Sequence, residues 1–382
     1  MSKYLTLYFI NVGKEHLGKD VFLTPYYLGK ELGYRTRIVY PMTKGNMTLP
    51  QIHRGVRLIP IHLFGRPIEN PYLRLVVSIF FFIRYVVPSS CMMGFHYYSK
   101  VNVLLPVIYK LLNPWGKLYI KLDASVRFLQ YEDNYKNKWS KRFWNFWDKL
   151  FALKVDCITC ESSESYHAIM NSGASCYKFR NKLSIMPNAF DDEELQTIRR
   201  KGFSEKENIM ITCGRLFTPP KNTEMLLNAL KKIDIREWKF YFIGPYPYEA
   251  QSIIENFFGE CQDKKGSVFF TGGIYDKKQL WEYYNQSKVF VLTSTSEGSP
   301  LVFVEATEFR NYILSTDVGG FQDITHNGKF GSSVMQNDPY DLSRKMQAII
   351  DGKVHIDVYP NDFTGLHWSS VVKPVAEKLR RF

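Results

Sequence analysis

The chain is short of the features that announce a membrane span, a secreted scaffold or a metalloprotein. Its 382 residues hold six cysteines, too few for a disulfide framework. The single CxxC, Cys157 to Cys160, sits in an apparent strand where residues three apart face opposite sides, and no second pair follows it. Two buried thiols in a reducing cytoplasm are expected. The longest apolar run, Leu75 to Ile83, is bounded by Arg74 and Arg84 and cannot span a bilayer. Tyr4 to Val12 reads as a first strand and not as a charged stretch feeding an apolar core, so no signal peptide is expected. Neither Gly-x-Gly-x-x-Gly nor a Walker sequence occurs, which argues against nicotinamide and P-loop enzymes. The histidines are scattered, so neither a metal nor a cofactor is expected.

What is present is ample apolar material and an uneven charge. The hydrophobic fraction is 45% and the aromatic fraction 16%, enough for two domains with cores of their own. Net charge is +13, but residues 1–188 carry 26 Lys and Arg against 11 Asp and Glu, while the remainder carries 24 against 26. A basic first half suggests an anionic partner there: nucleic acid, anionic lipid or a phosphorylated acceptor. No nucleic-acid readout motif accompanies it. From Trp139 to Phe151 aromatic and basic residues alternate, with Trp139, Phe143, Phe146, Trp147 and Leu150 on one helical face. Such a helix either packs on a core or lies in a membrane interface, and peripheral membrane contact would account for the charge asymmetry.

Strands alternate with helices throughout, the pattern of doubly wound parallel sheets. In the first half strands are expected near 4–11, 36–40, 57–62, 91–96, 117–122 and 155–160, with helices near 18–32, 70–87, 99–113, 138–153 and 163–173. The second half repeats the rhythm, with strands near 208–213, 239–243, 268–271, 288–293 and 312–316. The expected fold is α/β: two Rossmann-like domains, 1–187 and 188–363, facing across a cleft. A final helix, 364–382, is expected to return to the first domain.

Residues 293–308 read TSTSEGSPLVFVEATE. The buried-strand run Lys288–Leu292 leads into them, Ser299 reads as an N-cap and Pro300 as the first helical residue. The free amides of that first turn, with the positive end of the helix dipole, suit a diphosphate. Leu301 and Glu305 share a helix face, and the Glu305 side chain leans back toward those amides. A carboxylate accepting two hydrogen bonds matches a ribose diol, and Glu297 could do the same for hexose hydroxyls. Two solvated glutamates are the plainer alternative.

The block Glu297-Gly298-Ser299-Pro300-Leu301-Val302-Phe303-Val304-Glu305 resembles the nucleotide-sugar site of the retaining glycosyltransferase family 4, with two glutamates flanking seven residues. Four further segments share the resemblance: Thr212-Cys213-Gly214-Arg215-Leu216 followed by Lys221-Asn222, Phe242-Ile243-Gly244, Thr271-Gly272-Gly273-Ile274, and Asp317-Val318-Gly319-Gly320 with Asn327–Gly331. The resemblance implies the GT-B architecture. It also implies transfer of a hexose from a nucleotide diphosphate sugar, with retention and without a metal, Arg215 and Lys221 neutralising the diphosphate. Glu305 would hold the ribose, Glu297 and the Ser299 backbone the sugar, and Ile274 or Tyr275 would lie beside the base, with Leu301 and Gly244 also at the donor.

In the first half, Gly13 and Gly18 bracket the loop after the first strand. Gly18 is the candidate for close backbone approach to the diphosphate, although the adjacent glycine pair of the family is lacking. Asp123 stands where family members commonly carry a histidine and is expected near the reacting carbon; helix capping is its alternative role. His96, at another strand end, is the weaker sugar or acceptor contact. The acceptor would be a glycan hydroxyl, plausibly on a lipid-linked intermediate, and the site of action cytoplasmic or peripheral on the inner membrane face. The rival readings are another GT-B enzyme, such as a nucleotide-sugar 2-epimerase, and a catalytically silent scaffold on acidic membranes.

Overall fold

The computed structural model describes residues 3–10, 12–95, 100–122, 138–171 and 179–381. The chain divides into two compact units, one of residues 1–187 with 367–382, the other of residues 188–366. Asp123 and His96 lie outside the described residues, as does the Trp139 side chain.

The first unit is built on an eight-stranded sheet in the order β3-β4-β2-β1-β5-β6-β7-β8. Its strands are β1 (Tyr4–Tyr8), β2 (Arg35–Pro41), β3 (Ile52–His53), β4 (Val56–Ile61), β5 (Cys91–Phe95), β6 (Lys117–Leu122), β7 (Cys157–Cys160) and β8 (Leu183–Ile185). All neighbours are parallel except the short β3, which runs antiparallel to β4. Parallel strands need crossovers, and among the described residues these hold α1 (Asp20–Leu32), α2 (Pro71–Phe81), α3 (Lys100–Leu112), α4 (Lys138–Lys154) and α5 (Ser163–Asn171). Strands β5 and β7 are buried along their whole length, as continuous apolar runs in a two-sided sheet should be. Cys157 and Cys160 are both buried free thiols.

Local chemistry fixes the helix ends. Helix α1 stops at Gly33, whose φ of 71° is the left-handed C-cap conformation. Helix α2 opens on Asn70, whose side chain accepts from the Tyr72 and Leu73 amides at 3.0 and 3.1 Å, with Pro71 in the first turn. It gives way to a π-helical turn, Phe82–Val86. Helix α4 turns Trp147, Leu150 and Phe151 toward the core, while Phe143 and Phe146 are exposed. The expected single apolar face is therefore split between core and solvent.

The second unit carries a six-stranded, wholly parallel sheet in the order β11-β10-β9-β12-β13-β14. These are β9 (Glu207–Cys213), β10 (Lys239–Ile243), β11 (Val268–Gly272), β12 (Ser287–Leu292), β13 (Tyr312–Thr316) and β14 (Gly331–Val334). Helices α6 (Thr223–Leu230), α7 (Ala250–Glu260), α8 (Lys277–Gln286) and α9 (Leu301–Glu308) connect β9 to β13 in turn, a short helical turn, Phe321–Ile324, leads on to β14, and α10 (Pro339–Ile350) follows it. One apolar cluster packs α6 and α10 against one face of the sheet, and a second packs α8 and α9 against the other. The closing helix α11 (Lys373–Arg381) belongs to the first unit, where Lys117 donates to Leu379 O and Arg380 pairs with Glu31 at 3.0 Å.

Candidate functional site

Strand order locates the site before any side chain is considered. Strand β9 has β10 on one side and β12 on the other, so the chain reverses direction across the sheet there. In an open parallel sheet, the loops leaving the strand C-termini on either side of such a reversal splay apart and form a ligand-sized crevice. The loop after β9 carries Arg215 and Lys221, and the loop after β12 carries Glu297 and Ser299.

These loops are held together by hydrogen bonds. The Thr295 amide donates to Pro220 O at 2.8 Å, and Thr293 Oγ1 donates to the carbonyls of Lys221 and Asn222 at 3.1 and 3.0 Å. Asn222, at φ 46°, makes the left-handed step between the Pro219–Lys221 turn and α6. Between the loops, Lys221 Nζ meets Glu297 Oε1 at 2.6 Å, and Ser294 Oγ donates to the same oxygen at 2.6 Å. Arg215 is exposed and forms no ion pair among the described residues.

Glycine decides how closely the backbones approach. A Cβ on Gly244, at φ 144°, would fall 1.7 Å from Gly214 O, and one on Gly214 would press on the Lys221 stem at 3.2 Å. A Cβ on Gly319 would lie 2.3 Å from Gly298 O and 2.5 Å from Glu297 O. Only hydrogen at Gly319 lets the turn after β13 close on the Glu297 loop, and only hydrogen at Gly244 lets the β10 end approach Gly214.

Helix α9 begins at Leu301, with Pro300 as an extended N-cap at ψ 130°, so Ser299 is not the cap and Pro300 is not the first helical residue. Just before the helix, Asn188 Nδ2 donates to Ser299 O at 2.9 Å. The first amides of α9 still lack acceptors within the helix, as at any helix start.

Glu305 is buried, and its Oε1 accepts from Lys277 Nζ at 2.6 Å and from Trp281 Nε1 at 3.2 Å. Burial works against the Lys277 ammonium, but the adjacent Glu305 carboxylate outweighs it and raises the lysine above its ordinary value. Ile274 packs on the α8–α9 apolar cluster, while Tyr275 is exposed in the loop after β11.

Sequence reasoning brought together Arg215, Lys221, Glu297, Ser299, Leu301, Glu305, Gly244, Ile274 and Tyr275; Leu301 and Glu305 lie on α9, and the others in the loops at the strand ends of the same sheet. It missed Lys277, Trp281 and Asn188. The first two stand four apart on α8, opened by Asp276 capping the Lys278 and Gln279 amides, and nothing local connects them with a glutamate 28 residues on.

Gly18 lies in the first unit, in the turn between Lys14–His16 and α1. That unit also holds a buried charge cluster that sequence reasoning did not assemble. Lys121 Nζ, with no exposed side-chain surface, lies 3.3 Å from Asp20 Oδ2 and also bonds Glu161 Oε1.

Two sheets of this order, each flanked by helices, define the GT-B fold. The crystal structure of Anabaena Alr3699/HepE in complex with UDP and glucose shares it, with a TM-score of 0.64 at 13% identity over 98% of this chain and 95% of that one. Residues 194–358 match the glycosyl transferases group 1 family model, so the second unit carries a domain of that type. In sequence, the chain is 27% identical over 219 residues to an uncharacterized 41.2 kDa protein in the cps region of Klebsiella pneumoniae, covering 56% of each. It is 28% identical over 206 residues to the O-antigen biosynthesis glycosyltransferase WbnH of Escherichia coli, covering 53% of each. The chain thus spans about half the length of the curated relatives it matches.

Proposed function

We propose that this protein is a retaining glycosyltransferase that moves a hexose from a nucleotide diphosphate sugar to a glycan hydroxyl during polysaccharide assembly. The observation that carries the reading is the Lys221–Glu297 pair at the β9/β12 reversal, beside the Lys277–Glu305 pair. Cations and carboxylates alternate there at the start of a helix, inside a group 1 domain.

In this reading a diphosphate competes with Glu297 for the Lys221 ammonium. Binding exchanges carboxylate for phosphate on the lysine and frees Glu297 to accept from a sugar hydroxyl. Arg215, exposed at the same loop, adds a second positive charge, and the Leu301 amide adds a donor. Glu305 orients the ribose, with Ile274 or Tyr275 beside the base. As the bond from the sugar C1 to the phosphate oxygen breaks, the acceptor oxygen bonds C1 on the same face. The leaving phosphate takes the acceptor proton, so no separate general base is required. Arginine and lysine supply the positive charge, and no metal is required. Gly18, Asp123 and His96 of the first unit are assigned to the diphosphate, the reacting sugar and the acceptor. The acceptor is proposed to be a lipid-linked intermediate met at the cytoplasmic membrane face.

A thermal-shift panel of UDP, GDP, ADP and their hexose conjugates tests the donor site, because a ligand of the native state raises its Tm. A rise with one nucleotide series, lost in Glu305→Ala, is expected. A rise that persists in Glu305→Ala would refute the assignment.

A further inference from the structure

Helix α2 has the composition of a core helix, yet none of its eleven residues is buried. Along its outer side Tyr72, Leu73, Val76 and Phe80 are exposed, Val76 and Phe80 each at 63%. Along the other side Leu75, Ile79 and Phe82 line a cavity of about 450 Å³ whose remaining wall includes Ile108 and Leu112 of α3. A helix whose only polar interruptions are Arg74 and Ser78 belongs against an apolar partner, and one left half outside its domain marks an interaction surface. Just before it, the Leu63–Arg66 turn holds Phe64 at φ 50° with 92% of its surface exposed. His62 of the same segment rests on Phe81 at 6.3 Å between rings.

Charge identifies the occupant. From Arg66 to Arg84 the charged residues are Arg66, Glu69, Arg74 and Arg84, all exposed, three cations to one carboxylate. Arg74 and Arg84, near the two ends of the apolar stretch, are both exposed. A second copy of this chain would bring two more such arginines and, beside the helix, only Glu69 to meet them. A bilayer with anionic headgroups offers hydrocarbon to the stripe and phosphate to the arginines. No described helix is long and apolar enough to cross a membrane, so the fitting geometry is a helix lying in the interface plane.

We propose that α2, with the Phe64 turn, seats the first unit on anionic phospholipid bilayers, the cavity beneath α2 receiving hydrocarbon from that bilayer. This places the contact on α2 and not on the Trp139–Phe151 segment, and it does not depend on the transferase reading.

The test is co-sedimentation of the full chain with vesicles of phosphatidylcholine alone or with an equal share of phosphatidylglycerol. Binding is expected only to the anionic vesicles and should weaken as salt is raised. Val76→Glu/Phe80→Glu, at exposed positions that leave the fold intact by circular dichroism, should weaken it roughly tenfold or more. Arg74→Ser/Arg84→Ser should weaken it by about fivefold for each charge removed. Phe143→Glu/Phe146→Glu should leave it unchanged. The proposal is overturned if the unaltered chain ignores anionic vesicles, if neutral vesicles bind it equally, or if the α4 substitutions abolish binding while the α2 substitutions do not. A dimer by light scattering that Val76→Glu/Phe80→Glu dissolves, without vesicle binding, would make the face a self-association surface instead.

Discussion

Lys221 and Glu297, 76 residues apart in sequence, meet at 2.6 Å through loops that leave adjacent strands of one sheet. The contact joins a cation and an anion that the proposed reaction needs separately, which gives their substitutions different signatures. Lys221→Ala is expected to raise the Kd for the nucleoside diphosphate. Glu297→Gln removes the carboxylate that competes for Lys221, so it should lower that Kd, while lowering kcat by about 10²–10³, the usual cost of one lost polar contact to a transition state. Calorimetric titration beside steady-state kinetics separates the two. Equal effects of both substitutions on Kd would contradict the assigned roles.

Gly319→Ala drives a methyl into the carbonyls of Glu297 and Gly298. Because both obstacles are backbone, the loops must part. Destabilisation of about 1–3 kcal/mol is expected in urea unfolding, together with loss of the nucleotide-induced rise in Tm. A variant that keeps both stability and the Tm rise would show that the two loops need not touch.

Lys121 lies between two carboxylates in the first unit, with no exposed side-chain surface of its own. Replacing it with Met would remove the cation that Asp20 and Glu161 both meet. A loss of about 3–5 kcal/mol is expected in chemical denaturation. Lys121→Met/Glu161→Gln should recover part of it, and no recovery would mean the pair is not coupled.

Asp341 supplies a pH dependence. Burial alone would raise its carboxyl, but the Met335 amide with Lys345 and Arg344 wins and holds it at about 2, below its ordinary 3.8. The folded value is depressed, so its stabilisation is complete above about pH 4 and fades as pH falls toward 2. Asp341→Asn should be less stable at neutral pH and flatten the acid limb of the stability profile between those values. An unchanged limb would show that Asp341 does not contribute to it.

Much of the fold was legible because the sheets are parallel and buried on both faces. Val289–Leu292 and Tyr312–Thr316 are unbroken buried segments, and such strands announce themselves as apolar runs. The strands that escaped notice are β3, of two residues, β8, of three, and β14, whose Ser332 and Ser333 give no apolar signal; all three sit at sheet edges. The glutamates and glycines of the candidate site were legible as a spaced pattern. Lys277, Trp281 and Asn188 were not, since each acts on a residue that only the fold brings near. The exposure of α2 was hidden for the opposite reason: an apolar helix reads as core, and sequence does not say which core positions are left unfilled.

Residues 367–382 return to the first unit after the second has been completed, so the second unit is an insertion within the first. A chain emerging in sequence order can fold residues 188–366 while the earlier unit still lacks Trp368 and Leu379, both fully buried in it. Trimming the terminal helix α11 would accordingly damage not its neighbour in sequence but the unit that begins the chain, where Lys117, Glu31 and Lys182 would lose the partners that α11 supplies.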